Sequence, residues 1–315
     1  MTRRFLIDTD TASDDAVALV LALRHPGVTI EAITVVAGNV PLPQAVQAAL
    51  YTVELCGADV PVYAGMDRPM VRAARRTAQH VHGEDGMGDI GLPLAGRVPA
   101  DGHAVNTIID TVRAHPGEVT IVTLGPLSNL GMALRMAPDI AELIPQIVVM
   151  GGYGREIFGH TRTQEFNIMI DPEAADIVYR SGIPLTQVGL DASMRYATLS
   201  AEQEARLSQA GPIGKFCVDI QRVLREFSRK SLGLENFTLP DPLAAAVALR
   251  PDLVIRSVKA HVAIELTGTH TFGATVVDHT NSSGEAPNVE VVLDVDQDRF
   301  VDLLVDAAAG RANGQ

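Results

Sequence analysis

Residues 3–23 read RRFLIDTDTASDDAVALVLAL, and this stretch decides the fold. The apolar run at residues 5–7 predicts a short buried strand, and residues 16–23 predict a largely buried helix. Four aspartates lie at the junction: Asp8, Asp10, Asp14 and Asp15. A strand that enters a polar turn and then a helix is the first unit of a parallel α/β sheet, in which ligands bind at the carboxyl ends of the strands.

The same alternation continues along the chain. Further strands are predicted at residues 29–37, 61–64, 119–124, 147–150, 184–190 and 289–293, separated mainly by helical patterns. Residues 261–266 and 272–278 predict an antiparallel hairpin. The predicted fold class is α/β, with an open, mostly parallel central sheet, helices on both faces and a small antiparallel hairpin near the C-terminal part. One domain over residues 1–315 accounts for the pattern.

Composition and charge narrow the class of protein. The 315 residues contain 25 Lys and Arg against 38 Asp and Glu, a net charge of −13, which argues against nucleic acid as a partner. Cys56 and Cys217 are far apart in sequence, so no disulfide framework is predicted and a reducing cytoplasm suits the chain. The apolar run after the N-terminus stops at Asp8, too early for a signal peptide or a membrane span. We therefore expect a cytoplasmic protein without a membrane partner.

The aspartates of the first unit predict a cation site. Asp14 and Asp15 fall in the first turn of the predicted helix, where the helix dipole favours negative charge by about 0.3–1 kcal/mol each. That ordinary explanation suffices for one aspartate, but convergent carboxylates repel one another unless a cation neutralises them. Oxygen ligands without clustered His or Cys favour Ca²⁺ or Mg²⁺. An EF-hand is excluded because Ser13 and Leu19 stand where its Gly and Glu belong.

Two later segments offer further ligands. The carbonyl of Leu124 precedes a Gly-Pro turn after a predicted buried strand, although an ordinary turn explains it equally well. Asp241 lies in Pro-Asp-Pro before a helix, and Asp171 precedes Pro172 in a similar arrangement. Local sequence alone predicts a helix N-cap for both aspartates, and we retain that interpretation for Asp171.

With these residues in view, the chain resembles the inosine-uridine preferring nucleoside hydrolases over nearly its whole length. The opening DTDTASDDA of residues 8–16 resembles the DTDxxxDDA signature of that family, with Thr11-Ala12 where Pro-Gly is usual. Later blocks follow in the right order: VAGNV at 36–40, HGEDG at 82–86, LGPLSN at 124–129, EFN at 165–167 with DPEA at 171–174, and DPLA at 241–244.

The resemblance implies a nucleoside hydrolase fold of Rossmann-like type and a set of functional residues. Ca²⁺ would be held by Asp10, Asp15, Asp241 and the carbonyl of Leu124, with ribose hydroxyls and one water completing its ligands. Asp10 would also deprotonate that water. Four further residues would hydrogen-bond the ribose, a chemically reasonable role for carboxylates and amides: Asp14, Asn39, Glu165 and Asn167. Without the family pattern, Asn39, Glu165 and Asn167 would be taken as ordinary polar residues of turns or the surface.

The implied activity is calcium-dependent hydrolysis of the N-glycosidic bond of ribonucleosides, giving free base and ribose, in a homodimer or homotetramer. Carboxylates around the sugar and an activated water suit an oxocarbenium-like transition state. The site would stay negative and repel phosphorylated substrates. Gly86, Gly88 and Gly91 follow a polar segment, so they are interpreted as a flexible lid over the sugar rather than a dinucleotide motif.

The chain departs from the family pattern at two further positions. Many members have His before the last Asp-Pro, where this chain has Pro240, which cannot donate a hydrogen bond. His82 is therefore the candidate donor to the leaving base, with a solvated loop residue as the ordinary alternative. His160 stands near the position of a sugar-contacting asparagine, which it could replace. Candidates for base contact are Phe158, Phe227 and Phe237, each of which could equally belong to the core.

Two other functions compete. A Mg²⁺-dependent phosphatase of the haloacid-dehalogenase type also begins with a strand and Asp-x-Asp, but its pattern needs Thr or Val where Ala12 stands and leaves Asp14 and Asp15 without a role. A non-catalytic protein that binds nucleosides or ribose is the second alternative, because Pro240 removes an expected proton donor.

Overall fold

One nine-stranded sheet organises the described part of the chain, residues 2–72, 77–155 and 163–311 of a computed structural model. Its strands are β1 (Arg3–Thr9), β2 (Val28–Val35), β3 (Val62–Ala64), β4 (Val119–Thr123), β5 (Gln146–Met150), β6 (Leu185–Val188), β7 (Val254–Ile264), β8 (Thr275–Asp278) and β9 (Val289–Val295). The strand order is β3-β2-β1-β4-β5-β6-β9-β7-β8.

The sheet is parallel from β3 to β9, which confirms the predicted α/β class. Strand β1 lies between β2 and β4, so that Asp8 is in register with Thr34 on one side and Thr123 on the other. The chain order reverses direction at this strand. A crevice at the carboxyl ends of β1 and β4 is therefore the position where open α/β sheets bind ligands.

The C-terminal part of the sheet is antiparallel. Strand β7 pairs with β8 through His261 and Asp278, which confirms the predicted hairpin. Strand β7 begins seven residues earlier than the hairpin, at Val254, and its first half pairs antiparallel with β9. This first half was not predicted because its side chains, among them the exposed Ile255 and Arg256, lack the alternation of a half-buried strand.

Helices cover both faces of the sheet. They are α1 (Ser13–Leu23), α2 (Leu42–Leu55), α3 (Gln79–His82), α4 (Ala104–Ala114), α5 (Ser128–Met136), α6 (Phe166–Ile170), α7 (Pro172–Tyr179), α8 (Leu190–Tyr196), α9 (Ala201–Ser208), α10 (Pro212–Asp219), α11 (Arg222–Phe227), α12 (Pro240–Leu249) and α13 (Gln297–Ala309). Short 3₁₀ helices span Pro138–Leu143 and Pro251–Leu253, and a π-helical turn spans Ser228–Leu232. None of the helices in the described ranges is both long and apolar enough to cross a membrane.

Two hydrophobic layers lie on opposite faces of the sheet. Phe5 and Ile7 of β1 pack into the layer that contains α1, α2, α12 and α13, whereas Leu6 packs into the layer of α4, α5 and α7. Successive strand residues point to opposite faces, so one strand serves both layers. Helix α1 is buried from Ser13 to Ala22 and packs against α12. This packing brings the first turns of both helices to the carboxyl end of β1.

Candidate active site

Three carboxylates meet where α1 and α12 begin. Asp14 and Asp15 lie in the first turn of α1, and Asp241 lies in the first turn of α12. One oxygen of each lies within 4.8 Å of the others, and all three residues are buried. The dipoles of two helix N-termini partly offset this negative charge, but no basic side chain forms an ion pair with Asp15 or Asp241 among the described residues.

Asp10 lies beside this trio, outside the 4.8 Å group. Its Oδ2 accepts a hydrogen bond from the backbone N–H of Asn39 at 2.6 Å, and its Oδ1 is buried without a partner. The carboxylate fits between two glycines: a Cβ on Gly38 would lie 2.0 Å from Oδ2, and one on Gly125 would lie 2.8 Å from Oδ1. These two glycines are therefore required for the close approach of the backbone to Asp10.

Burial raises the pKa of every carboxyl in this group, and repulsion by neighbouring carboxylates adds to the rise for Asp10, Asp15 and Asp241. Burial, and then the charge of Asp15, raise the pKa of Asp10 well above its ordinary value, and burial followed by the charge of Asp14 does the same for Asp241. Burial raises the pKa of Asp14 to about 6, and burial together with Asp14 raises that of Asp15 to about 6. The protein alone thus leaves negative charge uncompensated here at neutral pH.

The unpartnered oxygens fit a divalent cation. Asp10 Oδ1 and Asp14 Oδ1 are buried and make no hydrogen bond, although buried carboxylate oxygens are ordinarily satisfied. Asp15 is instead held in place, because Thr9 Oγ1 donates to its Oδ1 at 2.6 Å and the N–H of Ala12 donates to its Oδ2 at 2.9 Å. An all-oxygen donor set of this kind suits a hard ion such as Ca²⁺ or Mg²⁺.

Glu165 and Asn167 form the wall next to the acidic group. Glu165 caps α6, accepting hydrogen bonds from the backbone N–H groups of Asn167 and Ile168 as well as from that of Gly152. Asn167 Nδ2 donates to the carbonyl of Leu124 at 2.7 Å, so the side chain predicted to contact ribose lies against the carbonyl predicted to bind the ion. Both side chains are buried, which excludes ordinary surface roles for them.

A cavity of about 270 Å³ opens onto these residues. Its polar end contains Asp14, Asn39, His82, Glu165, Asn167 and Asp241. The rest of its wall is mainly apolar and includes Val81, Met150, Phe166, Leu190, Met194, Leu224, Phe227, Leu232 and Pro240. A polar end beside an apolar compartment is the form expected for a ligand with a hydroxyl-rich part and a flat, weakly polar part.

His82 lies at the boundary between the two ends. It is 6% exposed, its Nδ1 is hydrogen-bonded to Ser13 Oγ at 2.9 Å, and Asp14 Oδ1 lies 3.5 Å from the same nitrogen. Burial lowers the pKa of the His82 imidazole to about 4. His82 is thus a buried residue of the cavity wall rather than a solvated loop residue.

Two sequence interpretations need correction, and a third is confirmed. Asp8 is not part of the acidic trio: its Oδ1 accepts from Thr34 Oγ1 at 2.6 Å and Asn129 Nδ2 at 2.8 Å, and its Oδ2 is buried without a partner. Asp241 is not an N-cap, since α12 begins one residue earlier at Pro240 and the carboxylate turns into the trio. The cap interpretation is confirmed for Asp171, which accepts from the N–H of Ala174 at 3.2 Å.

The lid prediction is also wrong. Met87 is fully buried, and a Cβ on Gly88 would lie 2.3 Å from the carbonyl oxygen of Ile220. Arg222 holds this segment by donating to the carbonyls of Gly88 and Asp89. Residues 86–91 therefore do not cover the cavity, which is lined in this part of the chain by residues 78 and 80–82.

Of the aromatic candidates, Phe227 lines the cavity and Phe237 belongs to the core. Phe158 and His160 lie outside the described residues. Sequence reasoning missed Phe166, which adjoins Glu165 in the cavity wall, and gave no role to Thr9 or Ser13. Thr9 and Ser13 lie inside the DTDTASDDA block, and their hydroxyl groups were the sequence feature that could have indicated a role in the site.

Comparisons with known proteins agree with this geometry. The sequence profile of the inosine-uridine preferring nucleoside hydrolases matches residues 5–302. The chain is 36% identical over 311 residues to the pyrimidine-specific ribonucleoside hydrolase RihB of Escherichia coli, covering 98% of this chain and 97% of the relative. It is 38% identical over 308 residues to an uncharacterised Schizosaccharomyces pombe protein, covering 96% and 98% of the two chains.

Solved structures give the same result. A plant nucleoside hydrolase superposes with a TM-score of 0.92 at 30% identity, covering 98% of this chain and 99% of that one. A purine-preferring ribonucleoside hydrolase from Gardnerella vaginalis superposes with a TM-score of 0.89 at 32% identity, covering 98% of both chains. The predicted resemblance is confirmed, and the chain belongs to the inosine-uridine preferring nucleoside hydrolase family.

Proposed function

We propose that this protein hydrolyses the N-glycosidic bond of ribonucleosides to free base and ribose in a Ca²⁺-dependent reaction. The observation that carries the proposal is a cavity with buried carboxylates at one end, among them Asp14 with its unpartnered Oδ1, and apolar walls at the other. Ribose hydroxyls suit the first end and a planar base suits the second.

Asp10, Asp15, Asp241 and the carbonyl of Leu124 would hold the ion, with Asp14 close enough to share in it. When bound, the ion would supply positive charge that binds ribose hydroxyls and lowers the pKa of a water molecule. The buried oxygens without hydrogen bonds support this assignment, because a cation would satisfy them.

The residues of the chain would perform the remaining steps. Asp10 would take a proton from the attacking water, because its Oδ1 has no other partner and burial raises its pKa well above the ordinary value of an aspartate. Asp14, Asn39, Glu165 and Asn167 would hydrogen-bond the ribose. The buried negative charge of Asp14 and Glu165 would also stabilise the positive charge that develops on the ribose ring as the bond to the base breaks.

The departing base would receive a hydrogen bond from His82. Pro240 lines the cavity but has no N–H, so it cannot assist the base. His82 lies between Asp14 and the apolar compartment, at the junction of sugar and base. Its imidazole can present an N–H to a base nitrogen or oxygen even when neutral.

The test is release of free base and reducing sugar from purine and pyrimidine ribonucleosides, with Ca²⁺ and after exhaustive chelation. Purine and pyrimidine nucleosides are both included, because this chain is similar to one relative named as pyrimidine-specific and to another named as purine-preferring. We expect release that stops on chelation and returns with Ca²⁺. The matching 5′-monophosphates are the control and should react poorly, because the acidic group repels phosphate. Saturable binding without release would overturn the proposal and favour a non-catalytic nucleoside-binding protein.

Replacing Pro240 tests whether activation of the base limits the rate. Pro240→His introduces an imidazole into the cavity wall, and we expect kcat on nucleosides to rise by as much as about 100-fold. Pro240→Ala is the control, because it removes the ring at the same helical position without adding a donor. Equal rates for the His and Ala variants would mean that a donor at this position does not limit turnover.

A further inference from the structure

Ser13 connects three parts of the active site. It is the first residue of α1, is fully buried, and its Oγ lies 2.9 Å from Nδ1 of His82 at the end of α3. Its backbone carbonyl accepts a hydrogen bond from Gln221 Nε2 at 2.8 Å, immediately before α11. Its hydroxyl thus faces the one imidazole that lies beside Asp14 in the cavity wall.

The orientation of His82 decides which atom it presents to a ligand. A neutral imidazole carries one N–H, and the hydrogen bond made by one ring nitrogen determines the proton on the other. Because Nδ1 faces Ser13 of α1, Nε2 is the ring nitrogen available to the cavity. Nε2 makes no hydrogen bond to the described residues, and it is not among their buried, unpartnered atoms. If another group donates a hydrogen bond to Nδ1, the hydrogen of the neutral ring must therefore lie on Nε2.

Other polar groups at the base end are less suited to this task. His80 packs edge-on against Phe227, with ring centroids 5.7 Å apart. The hydroxyl of Thr238 is hydrogen-bonded to that of Thr198 at 2.7 Å. Pro240 offers no hydrogen at all. The cavity therefore has no second imidazole at residue 240 that could donate to the base. Donation to the base depends on the orientation of His82.

We propose that Ser13 is a positioning residue, which donates its hydroxyl hydrogen to Nδ1 of His82 and so directs the Nε2 hydrogen to the leaving base. This inference rests on the proposed nucleoside hydrolase function. Ser13 leaves the Asp14 carboxylate free for the sugar, because a neutral hydroxyl rather than that carboxylate holds the imidazole at hydrogen-bonding distance. Ser13 itself does not line the cavity and would not touch the substrate.

The test compares two kinds of leaving group in Ser13→Ala, His82→Ala and the double variant, with Ca²⁺ present. Uridine and inosine need a donor at the base, whereas 4-nitrophenyl β-D-ribofuranoside releases a stable anion. We expect Ser13→Ala to lower kcat on nucleosides by about tenfold or more, with KM little changed, and to leave the nitrophenyl substrate nearly unaffected. The double variant should be no slower than His82→Ala, because Ser13 acts through His82.

Thr52→Val is the matched control, since it removes a buried hydroxyl that bonds the carbonyl of Ala48 on α2, outside the cavity. It should turn over both substrates like the unmodified protein. Equal losses on both substrates in Ser13→Ala, or additive losses in the double variant, would overturn the positioning role. A wild-type protein inactive on nucleosides and on the nitrophenyl substrate would instead overturn the proposed function, and this inference with it.

A second measurement does not depend on turnover. Nitrogen-15 spectra of the histidine side chains, with His82 assigned by its loss in His82→Gln, distinguish a proton on Nε2 from one on Nδ1. We expect Nε2–H in the wild-type protein and a mixture of the two forms in Ser13→Ala. A hydrogen on Nδ1 in the wild-type protein would reverse the direction of the Ser13 hydrogen bond and refute the proposal.

Discussion

Asp10→Asn is expected to lower kcat on nucleosides by about 10³-fold or more while the protein stays folded. The amide oxygen of Asn can still accept the hydrogen bond from the N–H of Asn39, so the local backbone need not move. Its NH₂ group would replace the unpartnered Oδ1 and cannot take a proton from water. The change also removes one of several buried, mutually repelling charges. In chelator, the variant should therefore melt at the same temperature as the wild type or higher.

Asp8→Asn is the matched control for this prediction. Asp8 is an equally buried aspartate of the same block, but it is not part of the acidic trio, and its Oδ1 is held by hydrogen bonds from Thr34 and Asn129. The Asp8→Asn variant should retain most of the wild-type kcat on nucleosides. Near-normal turnover in Asp10→Asn would reject Asp10 as the base, and a large fall in its melting temperature would assign the lost activity to misfolding instead.

The first strand, the turn and the first helix could be predicted because local patterns and tertiary packing agree there. Residues 5–7 alternate between two hydrophobic layers, and α1 is buried over nearly its whole length, as its run of Ala, Val and Leu indicates. At Asp241 the local sequence pattern and the tertiary packing disagree. Local rules place a cap at an aspartate before proline, but packing of α12 against α1 starts the helix at Pro240 and brings the carboxylate to Asp14.

The cavity shows a second limit of sequence reasoning. Its polar residues stand in recognisable blocks, whereas its apolar wall combines residues such as Met150, Leu190 and Leu232 from three separate elements. Each of these looks like an ordinary core residue in the sequence. The contact between Ser13 and His82 joins positions 69 residues apart, and it depends on where the packing of α3 against α11 places His82. Such pairs follow from tertiary structure rather than from spacing along the chain.

Calcium should stabilise the protein most strongly at alkaline pH. In the folded protein without an ion, the pKa values of Asp14 and Asp15 are raised to about 6 from an ordinary value of 3.8. The folded state therefore binds more protons than the unfolded state between these values. Stability from these groups is fully present below about pH 4 and is lost as pH rises through about 6. In chelator, the melting temperature should thus fall between pH 5 and pH 8.

A bound cation reverses this trend, because it favours the charged carboxylates of the folded state. At a Ca²⁺ concentration about 100 times its Kd, linkage predicts about 2.7 kcal/mol of stabilisation, or roughly 5 °C at pH 8. Asp241→Asn should reduce both the calcium effect and the dependence on pH. Asp298→Asn, at the same helical position of α13 but exposed, should change neither. Two results would contradict this prediction: a melting temperature that does not change with Ca²⁺ at pH 8, or one that rises with pH in chelator. Either would show that the acidic trio does not carry the buried negative charge on which an ion site depends.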